Sequence, residues 1–259
     1  MAEFGAEKRV VISSDSTTLT DSVARRLLHR IARRTQSGKV AHIVLTGGVM
    51  GLAVLRSAAA DPGRTDVDWS LVHFWWGDEN YVPSDSPHRN ERQAREALLD
   101  EIDVPEQNIH AMAASDSGLE LDAVADAYAQ ELARFATAEQ DWPRFDVCFL
   151  GVGPDGHIAS LFPDRPEITV TDAVAIAVRD SPVPPAERVS LTRPVINSSK
   201  RVWLVLSGHD KASALGLALA GAAYPTVPAA GAKGTRSTVF FVDAAAAEQV
   251  PAELIDQDY

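Results

Sequence analysis

Asp155 and His157 stand two residues apart in Gly151-Val152-Gly153-Pro154-Asp155-Gly156-His157, a loop that follows the apolar run from Phe145 to Leu150. Imidazole is the side chain whose ordinary pKa suits proton transfer near neutrality, and a neighbouring aspartate can orient or polarise it. A histidine in a rigid loop at the end of a strand therefore reads as an acid–base group rather than a core residue. Asp78 and Glu79, after Leu71 to Trp76 and Gly77, are paired carboxylates, one suited to holding sugar hydroxyls while the other stays structural. Thr46-Gly47-Gly48 can present a hydroxyl and successive backbone N–H groups to an anion, since glycine allows close approach and tight turning. Lys211 falls near a helix start, where the helix dipole disfavours a cation, so a cation kept there suggests an anion to meet it. Arg89 and Arg188 are further cationic candidates on loops. The set describes proton transfer beside an anion grip.

Other chemistries fit less well. The segment Gly151–Gly156 satisfies G-x-G-x-x-G, but Pro163 and Pro166 interrupt any helix after it, and Thr46-Gly47-Gly48 is not a Walker loop. The sequence shows no H-x-x-x-H, no cysteine cluster and no close His–carboxylate helix pair, so no metal is expected. Cys148, the single cysteine, lies within Val-Cys-Phe-Leu and reads as a small buried hydrophobe.

These residues need strands to hold them. Short apolar runs at 9–13, 42–48, 71–79, 145–151, 173–178, 202–208 and 237–243 read as strands, most of them without period-2 alternation, as in strands covered on both faces. Helical spacing predicts helices over Thr20 to Arg33 with Thr20 as N-cap, over Asn90 to Ile102, over Leu121 to Phe135, and from an Asp210 cap to Gly221. Such alternation predicts an α/β fold, doubly wound, with a mostly parallel sheet and helices on both faces, as one domain over residues 1–259. Ligands of such sheets bind beyond the carboxyl ends of the strands. Thr46, Asp78, His157 and Lys211 all sit at such ends.

Composition bounds the partners. The chain has 259 residues, 46% hydrophobic and 23% charged, with a formal net charge of −12. No apolar run approaches the length of a membrane span and no signal peptide is indicated, so a cytoplasmic protein without membrane or nucleic-acid partners is expected. The one basic cluster, Ala24-Arg-Arg-Leu-Leu-His-Arg-Ile-Ala-Arg-Arg34, reads as a solvated helix face because Leu27, Leu28 and Ile31 recur at helical spacing.

Read together, Leu45-Thr-Gly-Gly48, Trp75-Trp-Gly-Asp-Glu-Asn-Tyr-Val-Pro83, Gly151 to Pro163, Arg188-Val-Ser-Leu-Thr192 and Ser207-Gly-His-Asp-Lys-Ala-Ser213 resemble the landmarks of the bacterial 6-phosphogluconolactonase family, in order and from about Val40 to Val242. The resemblance implies a fold shared with glucosamine-6-phosphate deaminase and ribose-5-phosphate isomerase. It implies hydrolysis of a phosphorylated sugar lactone without a cofactor, with His157 activating water, Asp155 and Asp78 assisting, and Thr46, Gly47, Gly48, Arg188 and Lys211 meeting the phosphate. One departure stands out. The family has arginine where this chain has Asn80, and Arg89 is the candidate to replace it. Two alternatives compete. Glucosamine-6-phosphate deaminase resembles the same loop but needs a glutamate where this chain has Phe162. A sugar-phosphate sensor domain of a transcription regulator would need a DNA-binding segment for which this chain has no room.

Overall fold

The computed structural model describes residues 8–248 and 250–256. Six parallel strands form the main sheet: β1 (Lys8–Ser13), β2 (Ala41–Leu45), β3 (Val72–Trp76), β5 (Val147–Gly151), β8 (Arg201–Leu206) and β9 (Ser237–Asp243), in the order β1-β9-β8-β5-β2-β3. Its centre is dry: Val147 to Leu150 and Val202 to Leu206 are all buried, which explains their lack of polar alternation. Cys148 lies in that layer, where burial pushes its thiol up to about 12, so it packs rather than reacts.

Helices flank the sheet: α1 (Ser16–Thr35), α2 (Gly48–Ala60), α3 (Asn90–Ala97), α4 (Leu121–Ala133), the short α5 (Arg193–Asn197) and α6 (Ala212–Leu219). α1 begins earlier than its periodicity suggests. Asp15, not Thr20, is its N-cap and accepts the Thr18 N–H at 2.8 Å, while Thr20 is buried within the helix. α2 lacks an amphipathic signal because it is apolar on most sides. Its Gly51 packs so close to the Thr46 carbonyl that a Cβ would lie 2.4 Å away. The expected 90–102 helix stops at Ala97, where Leu98 leaves helical geometry (φ −150°), and a 3-10 turn over Leu99–Glu101 follows.

The run 71–79 is two strands. β3 joins the main sheet, and β4 (Asp78–Asn80) joins an antiparallel sheet of order β4-β7-β6 with β7 (Arg188–Leu191) and β6 (Ala175–Val178). Gly77 is the hinge: its N–H bonds the Leu45 carbonyl of the main sheet (2.9 Å), and its carbonyl accepts the Leu191 N–H of the small one (2.8 Å). The chain places β3 on one side of β2 and β5 on the other, so the winding reverses at the β2–β5 crevice, where ligands of such folds bind.

Candidate active site

The loop after β5 folds back on itself. Gly153 N–H donates to the His157 carbonyl (2.9 Å) and Gly156 N–H to the Gly153 carbonyl (3.0 Å). A Cβ on Gly153 would lie 2.0 Å from His157 Nδ1, so only glycine leaves room for the ring. Gly156 takes φ +85°, a backbone state that side chains oppose. The loop is held from outside by the Ala229 N–H on the Gly156 carbonyl (2.9 Å).

Asp155 Oδ1 accepts twice from His157, from its backbone N–H at 3.1 Å and from ring Nδ1 at 2.6 Å. A carboxylate only accepts, so Nδ1 carries a proton, and in the neutral ring the lone pair is then on Nε2. The ring packs on Phe162, centroids 4.6 Å apart, and the His157 side chain is 19% exposed. It is held on two sides and open to a substrate.

Asp78 and Glu79 point to opposite sides of β4, as neighbours in a strand must. Asp78 is buried; its Oδ2 accepts the Ser160 hydroxyl at 2.7 Å and lies 3.9 Å from Arg188 Nη1. Burial pushes its carboxyl above the usual range, against the pull of Ser160, Arg188 and His157. Glu79 is a structural cap. It accepts the N–H groups of Asn80 (2.7 Å), Asn90 (2.8 Å) and Glu91 (2.8 Å), closing the start of α3. Burial still lifts it to about 7.

The cationic candidates separate. Arg188 is the first residue of β7, not a loop residue. Its guanidinium bonds the carbonyls of Val183, Pro184 and Pro185 at 2.7–3.0 Å and lies 5.8 Å from the Phe162 ring centroid. It is thus held beside the ring that supports His157. Arg89, expected at a phosphate, is instead 3% exposed. It donates to the Met112 carbonyl (2.8 Å) and lies 3.9 Å from Glu79 and 3.6 Å from Glu91, so it braces α3 from inside. Lys211 directly precedes α6, 3.3 Å from Asp210, and the sheet order brings the end of β8 next to that of β5. Asp210 makes no capping bond; Asp243 instead holds Gly208 N–H (3.1 Å) and Ser207 (2.6 Å).

Gly47 and Gly48 open α2. Gly48 has φ +77° and open space where a side chain would stand, and the first turn of α2 carries no acidic residue. Such a helix start is ready for an anion. Thr46 Oγ1 accepts the Gly151 N–H at 3.3 Å, joining the two loops across the crevice.

Comparison with known proteins identifies this arrangement. The family model described as glucosamine-6-phosphate isomerases/6-phosphogluconolactonase matches residues 14–241. The chain belongs to that family. It is 44% identical over 250 residues to the 6-phosphogluconolactonase of Streptomyces coelicolor, covering 95% of this chain and 96% of that one. It is 45% identical over 244 residues to the 6-phosphogluconolactonase of Mycobacterium tuberculosis, covering 93% and 98%. Among solved structures, a Thermotoga maritima 6-phosphogluconolactonase superposes with a TM-score of 0.79 at 28% identity, covering 92% of this chain and 100% of that chain. A monomeric glucosamine-6-phosphate deaminase shares the fold, with a TM-score of 0.76 at 20% identity, covering 93% and 99%.

The position that separates the chain from the deaminase pattern, Phe162, and the one departure from the lactonase pattern, Asn80, now have surroundings. Phe162 brings an apolar ring against His157 where the deaminase pattern has a carboxylate. Asn80 pairs across the small sheet with Arg188 and donates to the His88 carbonyl at 2.6 Å. A longer cation at position 80 would stand beside Arg188, whereas Arg89 turns inward. Sequence reasoning did not single out Ser160 or Asn90. Ser160 is buried and holds Asp78; its signal was its place in the Gly151–Pro163 motif. Asn90 donates to the Asp78 carbonyl (2.9 Å) and packs where a Gly47 Cβ would stand. No feature of its neighbours in sequence marks that bridge.

Proposed function

We propose that the chain hydrolyses 6-phospho-D-glucono-1,5-lactone to 6-phospho-D-gluconate, the second step of the oxidative pentose phosphate pathway. The observation that carries the reading is His157, clamped by Asp155 through Nδ1 in the loop after β5, beside the winding reversal of the sheet, with its side chain 19% exposed. In this reading Nε2 takes a proton from water as the oxygen attacks the lactone carbonyl carbon. The carbonyl π pair moves to its oxygen, then returns to expel the ring oxygen. The proton on Nε2 passes to that leaving oxygen, so His157 ends as it began. Acid–base help of this kind supplies about two to four decades, which suits an ester already activated by its ring.

Asp155 holds the imidazole tautomer and favours the transient imidazolium. Asp78, held by Ser160, takes a substrate hydroxyl or supports His157 through the field between them. Thr46, Gly47, Gly48 and Lys211 meet the phosphate, the glycines by backbone N–H groups and Lys211 as a charge. Arg188 adds positive potential beside Phe162. Arg89 acts indirectly, through Glu79 and α3. No helix is long and apolar enough to cross a membrane among the described residues, and we place the protein in the cytoplasm.

The test is purified protein with freshly made lactone, spontaneous hydrolysis subtracted, and glucosamine 6-phosphate in parallel. Faster lactone loss without ammonia release is expected. Ammonia release at a comparable rate would contradict the reading.

A further inference from the structure

The basic cluster on α1 is not simply a solvated face. At the amino-terminal end of the main sheet, opposite the candidate active site, lies an open cavity of about 420 Å³. α1 supplies Arg30, Arg33 and Arg34 to its wall, and Lys39 follows on the way into β2. Lys200 and Arg201 enter from the start of β8, and Arg236 from the start of β9. The chain as a whole has 24 Lys and Arg against 36 Asp and Glu, yet seven of those cations line this cavity against one carboxylate, Asp146.

That carboxylate is already engaged, with Lys200 Nζ at 2.6 Å and Arg34 Nε at 2.9 Å. Among the described residues no ion pair engages Arg33, Lys39 or Arg236, and Arg30 Nε is buried without a hydrogen-bond partner. The carboxyl end of α1 explains part of the cluster, because cations complement a helix C-terminus. It does not explain the rest. The helix end contributes roughly half a negative charge and Asp146 one, so even with Arg201 left out of the sum more than about four positive charges remain in excess around the cavity. Lys200, Arg201 and Arg236 come from other elements and have no such helix end to serve. A chain of net charge −12 that sets seven of its 24 cations around one concave place builds a site for a multivalent anion there.

We propose that this cavity binds a small oligophosphate anion, one carrying two or more linked phosphate groups. Its volume exceeds the need of a single phosphate and falls in the range of small-ligand sites. The cations come from α1, from the segment before β2 and from the starts of β8 and β9, and so many separate charges match a chain of phosphates better than a point charge; arginine forks suit phosphate oxygens. A concave site on an otherwise acidic molecule disfavours a nucleic-acid duplex. The cavity lies beneath the start of β2 and the catalytic crevice beyond its end. Five residues at roughly 3.3 Å each separate them by about 16 Å. The two sites are therefore distinct, and this inference does not rest on the lactonase reading.

Isothermal titration at low salt with inorganic tripolyphosphate, and separately with metal-free ATP, tests the proposal. One-to-one binding is expected, weakening steeply as salt is raised, because exposed charges are screened. Equal affinities would assign recognition to the phosphate chain; tighter ATP binding would add a contact to the organic part; both support the site. The double substitution Arg33→Gln with Arg236→Gln should weaken binding at least about tenfold, about 0.7 kcal/mol for each lost charge. The Arg33→Lys, Arg236→Lys pair, which keeps both charges and loses only the forks, should weaken binding less than the Gln pair. Lactone hydrolysis should be unchanged in both pairs, which reports that they fold. Absence of saturable binding, many equivalent ions per chain, equal affinity in the Gln pair, or displacement by 6-phosphogluconate would each overturn the proposal.

Discussion

Replacing Asp155 by asparagine isolates the charge in the His157 clamp. The asparagine carbonyl can still accept the His157 backbone N–H, now at 3.1 Å, so the loop should keep its shape. What disappears is the charge that favours the imidazolium through the 2.6 Å contact to Nδ1. Hydrogen bonds to charged groups contribute about 1.5–3 kcal/mol. Asp155 is 40% exposed, so solvent screening puts it at the lower end. About 1.5 kcal/mol corresponds to roughly a tenfold fall in kcat, with KM little changed, because the imidazolium exists only during turnover. Asp155→Ala removes the backbone bond as well, adding about 1 kcal/mol, so a fall of fifty- to hundredfold is expected. Initial rates of lactone loss, corrected for spontaneous hydrolysis, measure both. Wild-type kcat in Asp155→Asn, or a change confined to thermal stability, would refute the reasoning.

Gly153→Ala should lower kcat by at least about tenfold, because its Cβ would stand 2.0 Å from His157 Nδ1 and must displace the ring; steady-state rates beside a thermal melt separate this from unfolding. Lys211→Ala should raise KM for the phosphorylated lactone roughly tenfold, given about 1.5 kcal/mol for a charge-assisted contact. The same change should leave unphosphorylated gluconolactone unaffected, and an equal effect on both would remove Lys211 from the phosphate. Glu79 is raised by burial to about 7 from the usual 4.5. Its folded form holds the proton more tightly, so the stability it contributes is complete below about pH 4.5 and is lost as pH rises through about 7. The difference in Tm between wild type and Glu79→Gln should therefore shrink across that window, and a constant difference would contradict the assignment.

The catalytic loop was legible because its constraints are local. Three glycines, a proline, Asp155 and His157 in seven residues leave few conformations, and a strand's carboxyl end is where such residues act. The parallel strands were legible from unbroken apolar runs. What the sequence hid depended on partners far along the chain. Glu79 and Asp78 look equivalent in sequence; only the place of α3 makes one a cap. Arg89 looks like a surface loop cation, and its burial follows from Met112 and Glu91 closing over it. The run 71–79 looked continuous because Gly77 hands the chain from one sheet to another without a polar break. α2 escaped notice because a helix that is apolar on most sides, down to an exposed Val49, carries no amphipathic period. The α1 cluster read as a solvated face because Lys200, Arg201 and Arg236 lie far along the chain.

The most direct test of the account is His157→Ala assayed against 6-phospho-D-glucono-1,5-lactone, with product affinity measured on the same protein. His157 is proposed to move the proton and not to hold the phosphate. The account therefore predicts a kcat lower by about two to four decades with 6-phosphogluconate affinity within a few-fold of wild type. A variant that keeps near-wild-type kcat would contradict it, and would make His157 a structural part of the loop.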